Sequence, residues 1–432
     1  MHPGSNKRIA GLLFMSLLAG CGDGSPPSAV IVSTAAFRDF ATANAAADTV
    51  VPTELTALEK TEVASRSRQW SVDTLVTRDT GFPENALAIP PLYFARAEAV
   101  AAAAYGTTLA QLRGVYPAPS SPRVADALMR GISRTISAGT ATRIATSFMD
   151  AVTARATPDT WSALVIQPLS DAQLAAQPNL RLSINDEFTA SLAWPQATVF
   201  NGVFAAENGG RLETRMVRIT GPLVTATDAD MDAAALALPQ GRWLLRITPT
   251  GSLRAWSAAS VEAAIAKLTA FIAAATGQTL LTGDLVVPMD VSYSALGDVR
   301  GMDEAQSQVM ADLRGLDGHG GDYVEFPGSS AVFTLNASGG SVQGSDSVSF
   351  IFSPLNRFSD GGGGEGSGVI LTAYPLPESN TCGKAVDLRP SYLALVDEIG
   401  RVELLARFMA VDGAVEGMCP IVLPPSVVLI TP

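Results

Sequence analysis

Histidine is nearly missing from these 432 residues, which hold only His2 and His319. A triad built on imidazole, or a zinc site with several histidines, would have to use His319 or not exist. His319 lies in "GLDGHGGD", the composition of a solvated turn. Cysteine is almost as scarce, with Cys21, Cys382 and Cys419 as the full set and no metal-ligand spacing among them. Basic residues are outnumbered by acidic ones, 29 to 41, and the net charge of −12 speaks against a nucleic-acid partner. The carboxylates show no pairing that selects a glycosidase or another acid–base enzyme. "DADMD", Asp228 to Asp232, has the opening spacing of a calcium loop. However, Ala233 stands where the sharp turn needs Gly, and Pro239 where the bidentate Glu should be. "GGGGEGSG" has glycines at dinucleotide-loop offsets but no strand–loop–helix unit around it. No metal or cofactor is expected, and the chain is read as a non-enzyme.

Long apolar runs are also lacking. The longest, "IAGLLFMSLLAG", follows Lys7 and Arg8 and falls short of the roughly 20 residues that a spanning helix needs. It ends in "LLAGC", which resembles the lipobox of bacterial lipoproteins. That resemblance implies removal of residues 1–21, with Cys21 lipidated as the new N-terminus of 411 residues. Gly22 rather than Asp follows the Cys, which in enteric-type sorting points to the outer membrane, on its periplasmic or cell-surface face. The membrane would then be met through the lipid anchor only. Export also places Cys382 and Cys419 in an oxidising compartment, where two remaining thiols are expected to pair.

Residues 22–68 are small and polar and read as a flexible tether with one frayed helix around "TELTALEKTEVASRS". Globular patterning begins near Gln69. "PLYFARAEAVAAAAYG" and "TTLAQLRGVY" are helix-like. In "VADALMRGISRTIS", Val124, Leu128 and Ile132 fall at four-residue steps and predict one helical face. "LRLSIN", "ETRMVRITG", "AALALP" and "RWLLRITP" are short strands. "SVEAAIAKLTAFIAAATG" returns to helix, with Ser260 as cap, Ile265, Leu268, Phe271 and Ile272 as the buried stripe, and Gly277 as the stop. "SYLALVDEIGRVELLARFMAV" predicts a hairpin turning at Glu398 to Gly400, and residues 421–432 form a tail. The fold class is α+β, helices around a large mixed or antiparallel sheet, with no internal repeat.

Four segments, in order across about Gln69 to Val411, resemble the serpin family. "ENALAIPPLYFARAEAVAAAAYGTTLAQL" is similar to the family's opening segment. "SINDEFTASLAW" is similar to the strand bearing its Asn and Trp, here Asn185 and Trp194 in the sheet-opening region. "GMDEAQSQVMADLRGLDGHGGDYVEFPGSSAVFTLNASGG" resembles the approach to the reactive loop, and "DLRPSYLALVDEIGRVELLARF" the C-terminal hairpin. The resemblance implies a serpin-like domain over 69–420. Its exposed reactive loop would leave a strand before Gly339 and return by about 388, with "SDGGGGEGSG" inside it. It also implies a monomer that inhibits a serine- or cysteine-type target protease: the loop is cut and its first part enters the main sheet. The chain itself contributes no catalytic group.

The sequence departs from the family in several places. The loop is about two dozen residues longer than the family norm, and the segment before "LRLSIN" is some 35 shorter. That shortening puts in doubt the helix that usually covers the main sheet. The family's buried Ser, Ser and His read here as Ile89, Leu92 and Ser329, with only Asn185 kept. These departures support an alternative, a non-inhibitory serpin-fold surface or binding lipoprotein. Period-2 alternation from the hinge puts Gly340, Val342, Gly344, Asp346, Val348 and Phe350 on one face, and serines with Gln343 on the other. Asp346 is the misfit, a carboxylate on an apolar face that needs a nearby Arg. Unpartnered, it predicts that Asp346→Ala eases insertion while Gln343→Ala does little. The candidate scissile bond is Arg357–Phe358, beside the Gly run and clear of Pro354.

Overall fold

The computed structural model describes residues 37–40, 54–78, 85–153, 161–207, 210–275, 277–289, 292–296, 312–318, 322–352 and 385–409. Cys21, His319, Arg357, Phe358, the Gly run, Cys382 and Cys419 lie outside these residues.

The helices are α1 (Ala57–Val72), α2 (Pro90–Ala103), α3 (Gly106–Val115), α4 (Pro122–Met129), α5 (Thr146–Thr153), α6 (Asp171–Ala176), α7 (Ala258–Ala275) and α8 (Arg314–Asp317). Two large sheets organise them. The central sheet has six strands in the order β12 (Ser292–Leu296), β13 (Asp322–Leu335), β14 (Gly339–Phe352), β6 (Leu180–Ala193), β3 (Ile132–Ala138) and β5 (Trp161–Pro168). All its neighbours are antiparallel except β3 and β5. The second sheet runs β11 (Thr282–Pro288), β8 (Arg211–Thr227), β9 (Met231–Ala237), β10 (Trp243–Pro249), β15 (Ser391–Val396), β16 (Val402–Phe408) and β2 (Ala86–Ala88). A further strand, β7 (Gln196–Ala205), pairs with β8. A short pair, β1 (Phe37–Asp39) with β4 (Arg143–Ala145), stands apart. The expected α+β class holds.

The helix expected to fray is an ordered part of the body, and β1 and the buried Phe40 also fall inside the tether predicted over 22–68. Thr56 and Glu59 close a capping box at its start. Val63, Ser67 and Val72 are buried, and the Ser67 hydroxyl accepts the Val402 N–H of β16. The proposed face Val124–Leu128–Ile132 is split: α4 ends at Met129, Gly131 turns the chain with φ +92°, and Ile132 begins β3. All three side chains reach the core, but from two elements.

At α7 the hydroxyl at the helix start belongs to Ser257, which accepts the Ser260 N–H. Phe271 is half exposed, while Ile265, Leu268 and Ile272 are buried as expected. This helix, at 18 residues, is the one described element long and apolar enough to match a membrane span. The sequence suggests no such run beyond residue 21, and α7 buries its Val261–Ile272 stripe against the second sheet. The C-terminal hairpin turns at Asp397–Arg401, where Gly400 takes φ +80°.

Over the central sheet's inner face lies α2, starting on Pro90–Pro91 and buried along nearly its whole length. In the segment expected to be short, the described residues form β5, at the sheet's edge beside β3, and the six-residue α6, which buries none of its residues.

Candidate functional site: an interior strand of the central sheet

The hinge residues Gly339, Gly340, Val342, Gly344 and Asp346 do not leave the sheet as an exposed loop. They are the first half of β14, which lies between β13 and β6 in the middle of the central sheet. Gly340 to Ser345 pair with Leu335 to Ser330 on one side and with Leu192 to Glu187 on the other. The strand is interior, so it is not the predicted loop.

The turn into β14 spans Asn336 to Gly339. The Asn336 side-chain oxygen accepts N–H bonds from Ser338 and Gly339, and its carbonyl accepts the Trp194 indole N–H at 2.9 Å. Trp194 therefore clamps the start of the strand. A Cβ at Gly339 would sit 2.2 Å from the Leu192 carbonyl oxygen, so only glycine fits here without moving backbone.

The predicted alternation is the observed one. Gly340, Val342, Gly344, Asp346, Val348 and Phe350 are buried, with Phe350 edge-on to Phe148 of α5. On the outer face, the hydroxyls of Ser341 and Ser345 share hydrogen bonds with Thr334 and Ser330 of β13. Ser347 donates to Asn185 at 2.7 Å. Asn185 thus bonds on the outer face, away from α2, and does not join a buried polar cluster beneath that helix.

Such a cluster exists, but with other members. Asp346 is 2 % exposed and is met by Arg96 of α2, whose Nη1 lies 3.3 Å from Oδ1 and whose Nε lies 3.3 Å from Oδ2. Directly across the ladder from Asp346 is Asp186 of β6, which is in turn opposite Arg134 of β3. Arg134 grips both Asp186 oxygens at 2.7 and 2.6 Å. Its remaining N–H groups go to the carbonyls of Ala95 and Val152, and its guanidinium lies over the Trp161 ring. Two carboxylates facing each other across a ladder repel. Here each has its own guanidinium, and the buried set of four is neutral. Asp346 is therefore no misfit in this conformation.

Sequence reasoning missed Arg96, Arg134 and Asp186. The signal was present for Asp186, since the alternation of Leu182, Ile184 and Phe188 places it inward. Arg96 stood out only as the one basic residue in an Ala-rich helix. Among the described residues there is no cluster of His, Cys, Asp or Glu suited to a metal. Asp228 bonds Lys267 and its own turn, as a solvated acidic turn should.

No family model matches the chain, and no curated protein matches it by sequence. Solved structures do match. A structure described as cleaved serpin 42Da superposes with a TM-score of 0.57 at 10% identity, covering 85% of this chain and 100% of that one. A loop-inserted, cleaved ovalbumin mutant gives 0.57 at 12% identity over 81% and 99% of the two chains. A thermophilic serpin, tengpin, in the latent state gives 0.52 at 11% identity over 84% and 100%. Thyroxine-binding globulin, complexed with a thyroxine–fluorescein ligand, gives 0.50 at 14% identity over 68% and 99%. The chain has the serpin fold.

Proposed function

We propose that this serpin-fold protein is a non-inhibitory, envelope-anchored surface or binding lipoprotein whose hinge segment is a permanent strand of the central sheet. One observation supports the reading most strongly: while the chain is uncut, Gly340–Ile351 pairs with β6 on one side and, apart from a bulge opposite Val348, with β13 on the other. Trapping a protease by strand insertion requires the strand to be outside the sheet first, and in this conformation no such movement is left. The chain length permits the arrangement. The strand of 14 residues is about 46 Å long at ~3.3 Å per residue. The 32 residues 353–384 join it to Leu388, which bridges Phe204 of β7. Fully extended they reach at least twice the strand's length, at ~3.3 Å per residue. The chain can therefore return without a cut, and the extra length and glycine content of the loop have a purpose on this reading. Cys21 would carry the lipid, and the 353–384 connection would be what a partner or protease meets. The chain contributes no nucleophile of its own.

The inhibitor that the sequence resemblance implies, acting on a serine or cysteine protease, has its own supporting observation. Every inward residue of β14 finds a matching site in the sheet, as a trapping strand must. The conformation described here would then be the spent form. Incubation with a panel of serine and cysteine proteases, followed by denaturing gels, separates the two. Cleavage within 353–384 with no denaturant-stable complex, and an unchanged Tm, is the expected result. A stable complex, or a large rise in Tm after the cut, would replace this reading with the inhibitor.

A further inference from the structure

We propose that α2 carries a two-point lock that selects this strand and fixes its register, Leu92 with Ile89 reading Gly344 and Arg96 reading Asp346. The inference rests on β14 being a strand of the sheet, and it goes beyond what the fold implies.

The first point is steric. A Cβ at position 344 would lie 2.5 Å from Ile89 Cδ1 and 2.7 Å from Leu92 Cδ1, both buried. Any side chain there meets the start of α2. The second point is electrostatic. Asp186, across the ladder from Asp346, is already held by both oxygens on Arg134. Asp346 supplies the carboxylate that meets Arg96 inside the sheet, and an inserted strand without it removes that charge from a buried pair.

The spacings agree. Leu92 and Arg96 are one helical turn apart, about 6 Å along the axis at 1.5 Å per residue. Gly344 and Asp346 are two strand residues apart, about 6.6 Å, on the same face. A slip of one residue would turn Asp346 to the outer face. A slip of two would bring Asp346 beneath Ile89 and Leu92 with Val348 beneath Arg96, or, in the other direction, Val342 and Gly344 in those places. Each alternative breaks both contacts together. The family's buried Ser, Ser and His positions are Ile89, Leu92 and Ser329 here. Two of the three, Ile89 and Leu92, are apolar and stand at the head of α2, with a charge pair one turn on, and this is what makes the lock particular to this chain.

Amide hydrogen exchange of Gly340–Ile351 in the full uncut protein tests this, with β16 as an internal reference. Asp346→Asn, which leaves the body unaltered, should raise strand opening on the order of 10²–10³-fold, as breaking one side of a buried pair does. Arg96→Met should do the same. Combining Arg96→Met with Asp346→Leu should return opening to within about tenfold of the parent, because an apolar pair leaves no orphaned charge. Exchanging the two keys, Gly344→Asp with Asp346→Gly, keeps composition and should abolish protection. Additive single effects, or an exchanged-key variant as protected as the parent, would overturn the lock. If Arg96→Met fails to fold, the Asp346→Asn and exchanged-key results still decide. These readouts do not depend on any protease. Coupling in a protein that also traps proteases would sink the non-inhibitory reading alone, and no coupling in one that traps none would sink the lock alone.

Discussion

Gly339→Ala gives a change in stability whose sign depends on where the hinge is. If residues 339–340 lay in an exposed loop, the new methyl would meet nothing. Reduced freedom of the unfolded chain would then stabilise the protein by about 0.4–1 kcal/mol. In the strand, that methyl starts 2.2 Å from the Leu192 carbonyl oxygen, so backbone must separate by about 1 Å to reach ordinary contact. The partner cannot rotate away, because it is a main-chain atom of β6 in the adjoining strand. Overpacking of this kind costs about 1–3 kcal/mol, and weakening the end of the ladder adds roughly 0.5–1.5 kcal/mol. After the unfolded-state gain the expected net loss is about 1–3 kcal/mol. Urea unfolding of parent and variant, followed by far-ultraviolet circular dichroism with m-values compared, measures it. A variant as stable as the parent or more so would refute the placement of Gly339 beside β6.

Asp186→Asn should destabilise by about 3–5 kcal/mol in the same assay, because Arg134 is 1 % exposed and would lose the carboxylate it grips. A loss under about 1 kcal/mol would show that water reaches this pair. Glu59 is held down to about 2 from an ordinary 4.5, first by the Ser121 hydroxyl and then by the Thr56 N–H. A folded pKa below the unfolded one stabilises fully above about pH 4.5, and that stabilisation is lost as pH falls towards 2. Glu59→Gln should therefore flatten the acid limb of the pH–stability curve, and an unchanged limb would contradict the capping assignment. Peptide mapping of exported, non-reduced protein should find Cys382 joined to Cys419, and two free thiols would dismiss that bridge.

Much of this was legible in the sequence because it depends on period. The alternation from Gly340 to Phe350 fixed the inward face of β14 residue by residue, since a side chain's face in a strand follows from parity alone. The hairpin turn at Gly400 and the α7 stripe at Ile265, Leu268 and Ile272 were legible for the same reason. Whether the strand lay in the sheet was not legible, because an insertable strand and an inserted one have the same pattern. Arg96 was hidden as well, since its partner is 250 positions away and nothing local marks the pairing. The boundary of the tether failed on composition: small polar residues obscured a capping box at Thr56 and Glu59 whose helix is held by contacts to β16.

The central claim is that the uncut chain keeps Gly339–Phe352 as an interior strand of its main sheet, between β13 and β6. Amide exchange of the intact, unmodified protein addresses it without any substitution. Gly340–Ile351 should exchange as slowly as the Leu182–Leu192 amides of β6, with both stretches protected far beyond free-peptide rates. Exchange of Gly340–Ile351 at free-peptide rates, with β6 still protected, would place the segment outside the sheet and contradict the account.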